Sequence, residues 1–279
     1  MARGKFRQML NLLRRADSPE EPTPSTETNP AAPRAVTPFH VALIMDGNGR
    51  WATQRHLPRG AGHRAGVEAL RKIVEAAPLE GVRMLTVYAF STENWGRPTD
   101  EVEGLMELFW DAFRTYLDRL DREGVRIRHF GRLAGLPDGV QRGILNAVER
   151  TKNNDRLHLN VCLNYGGRGE ITDAVRAIIA AGTCAEDVTE EMISQHLYSH
   201  DVPDPDLVIR TAGEVRLSNF LLWQSAYSEY YATPVLFPDF DRDEFARALN
   251  TYGGRQRRFG KVLQEEVTAV APSVDPVAR

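Results

Sequence analysis

Phe39–Trp51 reads FHVALIMDGNGRW. A mostly apolar run reaches Met45 and is then stopped by an acid, a turn holding two glycines, an arginine and a tryptophan. Such a run closed by Asp-Gly-Asn-Gly is the pattern of a buried strand ending in a tight turn. The glycines let backbone approach a ligand closely, and the helix start that follows presents unpaired N–H groups to an anion. Asp46 beside Arg50 adds a carboxylate suited to magnesium and a guanidinium suited to phosphate. Turns of this composition also serve as plain connections. The stretch therefore takes its meaning from what surrounds it.

Downstream, strand-like runs are expected at His40–Met45, Met84–Phe90, Val125–Phe130, Leu157–Leu163, Leu207–Ile209 and Val235–Phe237. Helical spacing fills most gaps between them. Val67, Leu70, Val74 and Ala77 share one face of a first helix, and Val102, Leu105, Phe109, Phe113, Tyr116 and Leu120 form a long apolar stripe on a second. Val140, Ile144 and Val148 mark a third helix, and Ile171, Ala174, Val175 and Ile178 a fourth. Strand and helix in alternation predict an α/β single domain with an open, mainly parallel central sheet surrounded by helices.

A parallel sheet binds ligands beyond the carboxyl ends of its strands. Asp46 ends the first strand, and Ser91, Glu93, Asn94, Trp95 and Arg97 follow the second. Asn164 and Tyr165 end the fourth, and Arg210 ends the fifth. Chance explains one such placement easily but four together poorly. Arg50, Arg59, Arg97, Arg210 and Arg216 flank these strand ends or the glycine-bearing turns beside them, and guanidinium groups bind phosphate oxygens bidentately. Any one of these arginines is better read as surface pairing or packing; the set on one rim favours a polyanion.

Ser218–Tyr231 opens with two helix-capping residues and is apolar on nearly every side, the pattern of a buried helix. Glu229 near its end then needs a partner, either a metal or a salt-bridging arginine. Arg255, Arg257 and Arg258 before Phe259-Gly260 read by themselves as a solvated basic run.

The 279 residues carry 42% hydrophobic side chains and a net charge of −3, enough for one sizeable core and with no bulk attraction to nucleic acid. Cys162 and Cys184 form no metal or disulfide framework, and the seven histidines show no ligand cluster. Neither a P-loop nor a Gly-x-Gly-x-x-Gly after a strand is present. No apolar run has the length of a membrane span and no signal core opens the chain, so a cytoplasmic protein is expected. Residues 1–16 place Phe6, Met9, Leu10 and Leu13 among Arg3, Lys5, Arg7, Arg14 and Arg15, a basic amphipathic segment suited to peripheral membrane contact. A frayed terminal extension is the equal alternative. Residues 1–37 are thus expected to hold that segment and a disordered linker, residues 38–266 the folded domain, and residues 267–279 a flexible tail.

Six motifs stand in order along the chain: HVALIMDGNGRWA, RGAGHRAG, VYAFSTENWGRP, LNYGGRGEI, DLVIRTAGEVRLSNFLLWQSAYSEYY and RRFG. Through them the chain, from about Phe39 to about Gly260, closely resembles the cis-prenyltransferases, the family that includes undecaprenyl diphosphate synthase. The resemblance implies an open sheet enclosing a hydrophobic tunnel, a homodimer, Mg²⁺, and repeated condensation of isopentenyl diphosphate onto an allylic diphosphate. By the same resemblance Asp46 is the acid essential for magnesium and for ionising the allylic diphosphate. Gly47, Asn48, Gly49, Arg50, Trp51, Arg59 and His63 belong to the allylic site and its surroundings. Asn94 is the candidate for the proton step, on a mobile loop with Ser91, Thr92, Glu93, Trp95 and Arg97. Arg210, Arg216 and Ser218 match the isopentenyl diphosphate site, Glu229 matches a metal-organising acid, and Arg258 and Gly260 match an element that completes the partner subunit's site. Ala212 stands where many members carry Ser or Gly. A match without an evident insertion after the second helix implies a medium-chain, undecaprenyl-type product for cell-wall carrier lipid. The alternatives are a short-chain cis-farnesyl-type synthase, a non-catalytic accessory subunit and a membrane-surface binding protein. The first helix and the long apolar helix are the expected tunnel walls, although an ordinary core stripe has the same period.

Overall fold

The structure, a computed structural model, describes residues 37–254. The basic N-terminal segment, its linker, the tail, Arg258 and Gly260 lie outside the described residues. Six strands form one sheet in the order β3-β4-β2-β1-β5-β6, and every neighbouring pair is parallel. They are β1 His40–Ile44, β2 Met84–Ser91, β3 Val125–Phe130, β4 Leu157–Tyr165, β5 Leu207–Arg210 and β6 Glu229–Ala232. Seven α-helices are described: α1 Asn48–Gln54, α2 Arg59–Ala76, α3 Thr99–Arg122, α4 Asp138–Thr151, α5 Gly167–Ala180, α6 Glu190–His196 and α7 Arg242–Gly253. Among the described residues no helix is long and apolar enough to cross a membrane.

β1 lies inside the sheet between β2 and β5 and is buried along its whole length. Its residues alternate between two cores. Val41 and Leu43 pack with α2 and α7, through Ile73, Val74, Phe245 and Leu249. Ala42 and Ile44 pack on the opposite face with Phe220 and Leu221. Cover on both faces is why the strand is apolar throughout instead of alternating. Asp46 then falls at the first position past the buried strand where a charge meets solvent, with its side chain 34% exposed.

The turn after β1 depends on Gly47, which sits at φ 104°. A Cβ there would lie 2.9 Å from a methyl of Leu236 and 3.0 Å from that of Ala212. The glycines of RGAGHRAG serve close approach: a Cβ on Gly62 would meet the carbonyl oxygen of Asn48 at 2.0 Å, so α2 can run against α1 only with glycine there.

α3 has 24 residues, or about 36 Å. Asp100 and Glu101 stand in its first turn and Arg119 and Arg122 in its last, complementing the helix dipole. α2 runs beside it in the same direction, because Arg59 and His63 meet Glu101 at one end while Glu75 meets Arg119 at the other. Between the two helices and the sheet lies an apolar cavity of about 180 Å³, with Val67, Leu70, Val74, Leu108, Phe109 and Phe113 in its wall. The two expected wall helices thus flank a cavity, and their stripes face it as well as the core.

Two expectations are overturned. Ser218–Tyr231 is not a helix: Ser218, Asn219 and Leu221 take φ of 49°, 66° and 44°, and the chain turns repeatedly before β6. The capping side chains are engaged elsewhere, Ser218 with Arg210 and Asn219 with Arg168 and Glu93, so they cannot start a helix of their own. Apolar residues appear on all sides because Phe220 and Leu221 fill one core while Tyr231 packs on the other. Val235–Phe237 is not a strand either; the sixth strand is Glu229–Ala232. Val235 and Phe237 instead tie down the site's loops, accepting from Ala212 N at 2.8 Å and donating to Asp46 O at 3.0 Å.

Candidate active site

Segments following β1, β2 and β5 converge on a polar pocket of about 620 Å³. Asp46 comes from the turn after β1, Asn48 from the start of α1, His63 from α2, Ser91 from the end of β2, and Glu93, Asn94 and Arg97 from the segment after it. Arg210, Arg216 and Ser218 come from the end of β5 and its loop. The pocket shares Asn48, His63, Tyr88 and Leu105 with the apolar cavity, so a charged chamber opens directly onto a greasy one.

Asp46 is held on three sides. Its backbone N–H donates to Thr211 Oγ1 at 2.9 Å, Gly47 N–H donates to its Oδ1 at 2.7 Å, and Arg210 Nη2 donates to its Oδ2 at 2.9 Å. The Arg210 side chain is only 8% exposed, and it also donates to Ser218 Oγ at 2.8 Å and to the Arg216 carbonyl. A buried guanidinium so arranged aims the carboxylate. Arg50 Nη2 stands 3.9 Å from Asp46 and 3.5 Å from Glu214, and Arg216 reaches the other oxygen of Glu214 at 2.5 Å.

Glu101 is a second anionic hub. Arg59 Nε lies 3.0 Å from it, Arg97 Nη1 3.0 Å and His63 Nε2 3.6 Å. Burial pushes the Glu101 carboxyl up, but the hydrogen bond and charges of these partners outweigh it and hold its pKa below the ordinary carboxylate value. Burial also lowers the pKa of His63 despite Glu101, which favours a neutral ring at the pocket wall. Asn48 Oδ1 and His63 Nε2 are buried without a hydrogen-bond partner. Orphaned polar atoms on the wall of a pocket are the groups a polar ligand would satisfy.

The turn Thr92–Gly96 carries Asn94 and Trp95 between β2 and α3. Asn94 caps it through Ser91 N–H, which donates to Asn94 Oδ1 at 3.1 Å. Trp95 donates its indole N–H to Asn164 Oδ1 at 2.8 Å and sets its ring edge-on to Phe90.

Three expected site residues stand apart. Trp51 points from α1 to Asp239, donating at 2.7 Å with Arg55 stacked on its ring, and not into the pocket. Gly49 lies under the Arg59 guanidinium, where a Cβ would come within 2.9 Å of it. Glu229 pairs with Leu207 at the amino end of β5, whereas Arg210 pairs with Ala232, so three register steps, about 10 Å, separate it from the level of Arg210. Sequence reading missed Thr211, Glu101, Glu214 and Asn219 as parts of the site. Arg97 and Glu101 at helical i, i+4 spacing, and Glu214 between Arg210 and Arg216, were the available signals.

The family described as "Putative undecaprenyl diphosphate synthase" matches residues 44–260. The chain belongs to the cis-prenyltransferase family. It is 55% identical over 229 residues to an isoprenyl transferase of Heliobacterium mobile, covering 81% of this chain and 88% of that one. An isoprenyl transferase of Thermotoga maritima is 51% identical over 81% of this chain and 98% of its own. Among solved structures, lavandulyl diphosphate synthase of Lavandula x intermedia, in complex with dimethylallyl diphosphate, superposes with a TM-score of 0.78 at 37% identity, covering 81% of this chain and 99% of that one. The Campylobacter jejuni protein described as a probable undecaprenyl diphosphate synthase gives 0.69 at 35% identity, over 81% and 100%. A cis-prenyltransferase transfers prenyl groups, which accounts for a charged chamber joined to an apolar one.

Proposed function

We propose that the chain condenses isopentenyl diphosphate repeatedly onto an allylic diphosphate, farnesyl diphosphate by preference, to make undecaprenyl diphosphate for cell-wall carrier lipid. The observation that carries this reading is the junction itself: Asp46, Arg97, His63 and Arg210 line a polar pocket that opens between α2 and α3 onto apolar walls. Diphosphates suit the first chamber, and a prenyl tail suits the second.

Among the described residues no group of three or more acids, histidines or cysteines is arranged to cage a metal. One half-exposed carboxylate beside arginines fits Mg²⁺, which binds through one or two carboxylates together with substrate phosphates and water. Asp46 would hold it, and the ion would supply charge stabilisation to the departing diphosphate. The Gly47 N–H and Arg50 stand beside the same developing charge as further donors, while Arg210 aims Asp46 and belongs to the isopentenyl diphosphate site. Arg59, Arg97 and His63 are gathered where a head group would exchange for Glu101. Loss of the allylic C–O bond leaves a cation that the alkene of isopentenyl diphosphate attacks; a proton then leaves from the new chain, and Asn94 is the candidate for assisting that step. Half-buried Tyr88 and Ala89 and buried Leu105 at the junction limit water there.

The resemblance further implies a homodimer in which Arg258 and Gly260 complete the partner's site, with Glu229 contributing to metal organisation; the absence of a membrane-length apolar run and the basic pattern of residues 1–16 suit a cytoplasmic enzyme with peripheral membrane contact through that segment. Incubation of the purified chain with isopentenyl and farnesyl diphosphates and Mg²⁺, then dephosphorylation and chromatography, tests the function. A C55 alcohol is expected, with activity abolished by EDTA and restored by Mg²⁺. A single-condensation product would favour the short-chain reading, to which the likeness to lavandulyl diphosphate synthase lends support. No product from the chain alone would point to an accessory subunit.

A further inference from the structure

Asn219 lies outside the motif positions assigned above, yet it joins three parts of the site. It follows Ser218, whose hydroxyl accepts from Arg210. Its Oδ1 accepts Arg168 N–H at 2.9 Å and its carbonyl accepts Gly167 N–H at 2.7 Å, which fix it on the first turn of α5. Its Nδ2 then donates to Glu93 Oε1 at 2.7 Å, across 126 residues of sequence. Glu93 stands one residue before Asn94 on the Thr92–Gly96 turn.

Several features fit this contact. Asn219 takes φ 66°, a left-handed conformation that Asn, Asp and Gly adopt more readily than other residues. Gly166 leaves the room: a Cβ there would come within 2.7 Å of both Asn219 Nδ2 and Thr92 Oγ1. The Glu93 carboxyl faces Tyr88 and Ser91 on β2, Thr92 on its own turn, and Asn219. Burial raises its pKa, and hydrogen bonds from its own backbone, Asn219, Ser91 and Thr92 bring it below the ordinary value, so the acceptor is anionic. A hydrogen bond to an ionised acceptor is stronger than a neutral one.

We infer that Asn219 is a positioning residue for prenyl transfer: through Glu93 it clamps the turn carrying Asn94 and Trp95 against the loop that carries Ser218 and the Arg210 contact. The two halves of the head-group pocket are thereby held in one register. The inference rests on the function proposed above.

The test replaces the amide by a carboxylate. In Asn219→Asp the Arg168 contact survives, but two carboxylates face each other, and kcat/KM at pH 7.5 should fall about ten- to hundredfold, the worth of a charge-assisted hydrogen bond. Activity relative to wild type should recover as pH falls and the pair takes up a proton. Glu93→Gln combined with Asn219→Asp restores the bond with donor and acceptor exchanged and should regain most of the loss at pH 7.5. Asn219→Gly keeps the left-handed backbone and removes the clamp together with the Arg168 contact, so it should lose activity. A pH profile of Asn219→Asp parallel to wild type, a double variant no better than Asn219→Asp, or full activity in Asn219→Gly would each overturn the inference. A wild-type chain that makes no prenyl product overturns the proposed function and the inference together, whereas an active wild type with indifferent variants overturns the inference alone.

Discussion

The two ends of β1 treat their ionisable residues in opposite ways. His40 at the amino end is 2% exposed; its Nδ1 lies 2.7 Å from the Pro203 carbonyl and its Nε2 2.7 Å from Thr86 Oγ1, which also accepts Asn160 Nδ2 at 2.9 Å. This chain is satisfied by a neutral ring that donates from Nδ1 and accepts at Nε2. Burial pushes the His40 pKa down to about 4, against the Pro203 hydrogen bond and the charge of Asp206. Six residues on, Asp46 meets solvent among arginines. One strand therefore carries a buried, neutral histidine at its root and a solvent-facing acid at its tip. What separates them is cover: loops close over the amino end, whereas the carboxyl end opens into the pocket.

The strongest way to break that contrast is Asp46→Ala. If the tip is built for chemistry, turnover should fall at least about a thousandfold, because a group organising the reaction's charge is lost. The melting temperature should change little, since no core packing is removed; initial rates of labelled isopentenyl diphosphate incorporation and a thermal melt decide it. Near-normal turnover would mean that the tip does no chemistry.

The root is probed by acid. The folded-state pKa of His40 lies below the unfolded value of 6.5, so the unfolded chain takes up the proton first as pH falls. Its contribution is fully present above about pH 6.5 and is lost down to about pH 4, amounting to about 3 kcal/mol. Urea midpoints across that range should fall for the wild type and fall less for His40→Gln; equal slopes would show that the root does not titrate as described.

A milder effect sharpens the comparison at the tip. Glu101→Gln keeps the shape of the hub but removes the charge that gathers Arg59, Arg97 and His63. kcat/KM should fall about tenfold, in keeping with loss of a charge-assisted contact, with melting nearly unchanged. A loss of stability without a loss of rate would make Glu101 a fold residue.

Five of the six strands and the four principal helices were legible because each carries its own period and stops at a polar or glycine-rich turn, as FHVALIMDGNGRW does. Legible too were Asp46, Asn94, Arg97 and Arg210 as rim residues, because a parallel sheet delivers whatever ends its strands to one side. The 218–231 stretch was misread for a tertiary reason. Ser218 and Asn219 cap distant segments, and Phe220 and Tyr231 fill two different cores, so local pattern and local partners disagree. Register, not composition, set Glu229 level with the amino end of β5. Glu101, Glu214 and Asn219 matter through what they face across the fold. A sequence states which residues are apolar, flexible or charged along one dimension; which charge meets which across the fold is decided only when strands align and helices pack.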